Sequence, residues 1–173
     1  MNETLDQENA RLRRQLALHG VEPLPAVDLP NAEELVELHS LIVSRYPQLA
    51  CAQDQFERAL LFMAFARRQS KLNASYYPTF WLDGATDWLR RNGYQADLRL
   101  AALIAAAVAA GVPHSPLHRF PHDIELGLQV GGVSRPSSAW RDVLANGVPA
   151  PQPLNRPFVV AEPITMITET PRR

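Results

Sequence analysis

Lysine is nearly missing from this chain: Lys71 stands alone, and every other cation is arginine. That skew is read as codon usage rather than chemistry. With 17 basic and 18 acidic residues, the charges cancel. A balanced chain lacks the basic footprint that binding to a nucleic-acid backbone usually leaves. Cysteine is equally scarce. Cys51, the single thiol, excludes an internal disulfide and any multi-cysteine metal site. It precedes an apolar helical stretch and is expected to be a small buried residue rather than a nucleophile. The amino-terminal MNETLDQEN is polar and acidic, unlike a signal peptide. Signature motifs of enzymes are also missing: no Gly-rich phosphate loop, no GxSxG elbow and no HExxH. The reading therefore leans away from an enzyme, names no cofactor and places the protein in the cytoplasm.

What the chain does have is one stretch free of polar side chains, Leu100–Ala110, LAALIAAAVAA. A helix apolar on all sides must be covered on all sides or cross a membrane. A crossing takes about 20 apolar residues, and this run is shorter, so no membrane partner is expected. Residues 97–110 are predicted to form the central, covered helix of a small, mostly α domain.

Four regions are expected around it. Residues 1–20 read as a short coiled-coil-like helix. Leu5, Leu12 and His19 fall at d positions of a heptad frame, Leu16 at a, with Asn2 and Asn9 also at a. A buried Asn at a specifies register in a dimer. Leu5, Asn9, Leu12 and Leu16 are thus candidate contacts with a second copy. The competing reading is one amphipathic helix packed on its own domain. Residues 21–30, with three prolines, form a linker. Residues 31–147 form the helical domain. Within it, Asn31 and Glu34 make a capping box, and helices are predicted from Ala52 to Gln69 and from Thr79 to Arg91. A weak strand follows in IELGLQV, and a short helix runs from Ser137 to Ala145. Gly84 in mid-helix points to a closely crossing neighbour. Residues 148–173 are proline-rich and expected to be an extended or partly disordered tail, whose FVVA and ITMIT are β-prone.

Three clusters are candidates for chemistry. His114, His118 and His122 recur every four residues with Asp123 beside the last, which on a helix would stack three imidazoles for zinc. Pro116 and Pro121 interrupt that helix. The second cluster overlaps the first. The run AAVAAGVPHSPLHRF, within residues 98–120, resembles the helix-turn-helix of the LacI-repressor kind on Ala107, Ala110, Gly111, Val112, Leu117 and Arg119. The resemblance implies a recognition helix after Gly111, with His114, Ser115, His118 and Arg119 touching DNA. The third is aromatic and basic: Arg67, Arg68, Lys71, Tyr76, Tyr77, Phe80, Trp81, Trp88, Arg90 and Arg91. Trp81 and Trp88, seven residues apart, have core spacing. Tyr76 and Tyr77 are expected to mark an exposed patch for a partner.

These readings rank as follows: an interaction or adaptor module, dimeric through its first helix and binding an unidentified protein; then a dimeric DNA-binding regulator; then a metal-dependent enzyme using the histidines.

Overall fold

The computed structural model describes residues 4–18, 24–131 and 135–155. Among them are six α-helices and one small two-stranded sheet. In chain order these are α1 (Leu5–Leu18), α2 (Ala32–Arg45), a 3-10 turn (Pro47–Leu49), α3 (Gln53–Phe65), β1 (Arg68–Asn73), α4 (Pro78–Arg91), α5 (Leu100–Ala109), β2 (Leu126–Leu128) and α6 (Trp140–Asn146). No described helix is long and apolar enough to cross a membrane.

The polar-free stretch is the axle of this fold. In α5 every residue from Ala102 to Ala109 is fully buried. Helices α2, α3, α4 and α6 and the 3-10 turn all pack against it. Its alanines bring those neighbours close, while Leu103 and Ile104 fill the space between them. The helix is shorter than the expected 97–110: Arg99 is its extended N-cap, and Gly111, at φ +73°, ends it. There the Val112 N–H reaches the Ala107 carbonyl and the Gly111 N–H the Val108 carbonyl, a Schellman closure that requires the left-handed residue.

Other boundaries follow local chemistry. The Asn31–Glu34 capping box forms as its spacing predicts, with side chain and backbone bonded both ways. The helix expected to reach Gln69 stops at Phe65, because Arg68–Asn73 pair with β2 as a strand. The IELGLQV signal holds at its centre, Leu126–Leu128. The Thr79 cap moves back: Pro78 occupies the first turn of α4, where its missing N–H costs nothing. The last helix begins at Trp140, not Ser137; Ser137 instead accepts the Ala139 N–H.

One arginine serves the negative end of α3 from outside the helix. The Arg68 guanidinium, on β1, donates to the Met63 carbonyl of α3 and the Ala110 carbonyl after α5. It is largely buried, and desolvation draws its pKa down. Two helix C-termini thus replace a carboxylate as its partner.

β1 and β2 are antiparallel, with an irregular register between Arg68↔Leu128 and Asn73↔Leu126. His114 bridges to Leu126 on the far edge of β2. Gly127 sits where the strands and this segment converge: a Cβ there would lie 2.7 Å from the Gln69 carbonyl and 2.9 Å from Pro113. From residues 21–30, Leu24, Val27 and Leu29 pack on the core, and the Trp140 indole donates to the Asp28 carbonyl. Of the tail, Gln152 and Asn155 are tied to His114, Ser70, Leu72 and Glu125. FVVA and ITMIT lie outside the described residues.

Candidate binding groove

Helix α4 carries two apolar stripes. Trp81, Ala85 and Leu89 turn to the core. Phe80, Gly84, Trp88 and Arg91, spaced by one helical turn each, form a second line along its flank and wall a groove. The opposite wall is the end of α3 and the residues after it: Phe62, Phe65, Ala66 and Arg67. Leu128, Gln129, Val130 and Gly131 close a third side. The groove encloses about 430 Å³, within the size range of ligand sites.

Its walls are aromatic and mutually braced. Trp88 meets Phe62 edge-on at 5.7 Å and Phe65 at 5.5 Å between ring centres. Phe80 stacks on Tyr76 at 4.1 Å and meets Trp81 edge-on at 5.0 Å. Such packing holds the rings in place before anything binds. Phe80 is nevertheless 41% exposed. Two polar features stand out. The Trp81 indole N–H is buried and finds no acceptor among the described residues, where buried donors are nearly always paired. Arg67 has no carboxylate partner among the described residues, whereas Arg91 pairs at the surface with Asp87.

Gly84 corrects the expectation of a crossing helix. A Cβ built there meets no atom within 4 Å. The glycine faces the groove rather than a neighbour.

The other expected residues are distributed differently. Tyr76 is half-buried against Phe80 and Trp81, while Tyr77, the N-cap of α4, is 67% exposed. The recognition helix implied by the helix-turn-helix resemblance does not form. After Gly111 the chain runs extended, because its backbone bonds go sideways to the β2 segment: Ser115 N–H to the Glu125 carbonyl, and Gly127 N–H to the Pro113 carbonyl. Pro113 and Pro116 could not have continued a helical ladder. His114 and Ser115 are buried in this pairing, while His118 and Arg119 are exposed in the following turn, with Arg119 paired to Asp123 at 3.0 Å. The four expected DNA contacts therefore do not share a face. Among the described residues no three His, Cys, Asp or Glu side chains gather as a metal would need. His114 is inside the fold, where burial pushes its pKa down, and His122 is at the surface.

On α1, Leu5, Asn9 and Leu12 line grooves shared with Leu29, Leu61 and Tyr94 of the same chain. The side chain of Leu16, like residues 2 and 19, lies outside the described residues. Glu57 lies beneath this helix; burial, then the Glu8 charge, raises its pKa.

The sequence displayed one side of the groove, as an aromatic and basic cluster read as core. It concealed the other, since Phe62 and Leu128–Gly131 arrive from separate elements. The Phe80–Gly84–Trp88–Arg91 spacing is the signal that could have found it. Comparison of the chain with protein-family models, curated proteins and solved structures finds no match.

Proposed function

We propose that this protein is an interaction module whose α3–α4 groove receives a partner protein's segment. The segment presents a bulky aromatic or aliphatic side chain with carboxylates beside it. The observation that carries this reading is the braced aromatic groove, open at Gly84, with Arg67 at its rim. An apolar side chain would remove exposed aromatic surface from water, at about 25 cal/mol per Å². Flanking carboxylates would pair with Arg67 and exchange with Asp87 at Arg91. Tyr77, exposed at the start of α4, would extend the contact.

A random peptide library displayed on phage tests this with the full chain as bait. Enriched peptides are expected to place Trp, Phe or Leu next to Asp or Glu and to change tryptophan fluorescence on titration. Gly84→Trp, which fills open space, is expected to weaken binding at least about tenfold, or about 1.4 kcal/mol, without lowering the melting temperature. Arg67→Glu is expected to weaken it and to reduce its salt dependence. Enriched peptides that bind Gly84→Trp as well as the parent would place the interaction elsewhere, and a library yielding no common pattern would end the proposal.

A further inference from the structure

The sequence context of Cys51 implies a small buried residue. Cys51 is half-buried, and its Sγ lies 3.4 Å from His39 Nε2. The other ring nitrogen, Nδ1, is hydrogen-bonded to Gln53 Oε1. The three side chains come from three places: the middle of α2, the link after the 3-10 turn and the first residue of α3. The imidazole also stacks on Phe56, with ring centres 4.6 Å apart and planes 19° apart. It is thus held on its face and at both nitrogens.

The direction of these bonds follows from the donors present. An amide oxygen only accepts, so the proton sits on Nδ1. Nε2 then presents its lone pair to the Sγ–H. This is the order of a nucleophile, its base and an orienting group. The neighbours Ala50 and Ala52 are exposed and small, so nothing bulky adjacent in the chain covers the sulfur. Burial pushes the thiol's pKa up, so the resting group is S–H and its reactivity depends on His39.

We propose that Cys51 is a site of thiol–disulfide exchange with small-molecule disulfides of the glutathione class, with His39 as its base and Gln53 as a positioning residue. As Sγ attacks one sulfur of the disulfide, the Sγ–H proton passes to His39 Nε2. The new Sγ–S bond forms, the old S–S bond breaks, and the departing thiolate takes the proton back from the imidazolium. One disulfide is exchanged for another, so no oxidant beyond the small disulfide is consumed. Because Cys51 is the only cysteine of the chain, no internal thiol resolves the adduct. It persists until an external thiol reverses it.

The test is the rate at which the full chain reacts with 5,5′-dithiobis(2-nitrobenzoate), followed by nitrothiobenzoate release. The same chain unfolded in guanidinium is the reference, and intact mass after oxidised glutathione identifies the adduct. A half-buried thiol without a base reacts more slowly folded than unfolded. The proposal requires the reverse, by about tenfold or more, and one glutathione added per chain. His39→Asn is expected to remove the advantage. Gln53→Leu is expected to reduce it, and Gln53→Glu, which still accepts the Nδ1 proton, to restore it. A folded chain slower than the unfolded one, or a His39→Asn protein as fast as the parent, overturns the proposal. The folded-to-unfolded ratio of the parent decides even where a variant fails to fold.

Discussion

Helices α4 and α5 are both rich in apolar surface and they treat it in opposite ways. Around α5 the chain supplies a neighbour in every direction, and Ala102–Ala109 meet no water. Along α4 the Trp81–Ala85–Leu89 stripe is covered, whereas the adjacent line borders a groove: Phe80 and Trp88 are braced only on part of their surface, and Gly84 meets open space. Apolar surface that the chain itself covers explains the fold. Apolar surface left open between braced rings is where the proposed partner would dock. The more hydrophobic helix is therefore the less informative about function.

The strongest way to break this contrast is to put the same charge into both helices. Ala106→Asp would bury a carboxylate in the centre of the apolar core, which costs several kcal/mol. That approaches the whole stability of a domain of this size. Loss of a cooperative urea transition, or insoluble protein, is the expected outcome. Gly84→Asp adds the same group where a side chain meets nothing, and its transition midpoint is expected to stay close to that of the parent. Equal losses would mean that the groove is not open.

Arg68 tests the next level, the point where α3 and α5 end together. Arg68→Met keeps much of the side chain's bulk but leaves the Met63 and Ala110 carbonyls without their shared donor. Hydrogen bonds from charged groups contribute about 1.5–3 kcal/mol, so a loss of about 2 kcal/mol by urea denaturation is expected. Arg67→Met, one residue away at the groove, is expected to change stability by less than about 0.5 kcal/mol.

The same division decides what could be read from residues alone. The course of α5 was legible because a polar-free run forces its own burial, whatever surrounds it. The Asn31–Glu34 cap was legible because donor and acceptor lie three residues apart. The end of α3 was not: nothing in Ala66–Gln69 stops a helix, and β2, more than fifty residues downstream, captures Arg68 onward. The histidine spacing misled for a similar reason, because bonds to β2 decide the path of residues 113–115. His39, Cys51 and Gln53 form no motif. They meet only because the Pro47–Leu49 turn folds α3 back beside α2.

His114 tests the covered side through pH. Burial lowers its pKa below the ordinary 6.5; the Val112 carbonyl partly opposes this, and the Arg45 charge adds to it. Below pH 6.5 the unfolded chain takes up a proton that the folded chain refuses. Stability therefore falls as pH drops through 6.5 and levels off once the folded-state pKa is passed. Denaturation at pH 7.5 and 5.5 should show a smaller pH-dependent loss in His114→Gln than in the parent, since carboxylates common to both cancel. A pH dependence unchanged by the substitution would mean that this imidazole reaches water.

The smallest expected change reverses sign. Glycine within a helix costs up to about 1 kcal/mol relative to alanine, through backbone entropy. At Gly84 no neighbour within 4 Å opposes a methyl group. Gly84→Ala should therefore raise stability by about 0.5–1 kcal/mol, measured as a higher urea midpoint at unchanged slope. If peptide binding weakens in this more stable protein, a stabilising residue has been forgone to keep the groove open. If binding is untouched, the glycine has no part in recognition and the contact lies toward Phe80 and Tyr77. Stability and binding moving in opposite directions at one position would separate the two uses of apolar surface more directly than any loss of fold.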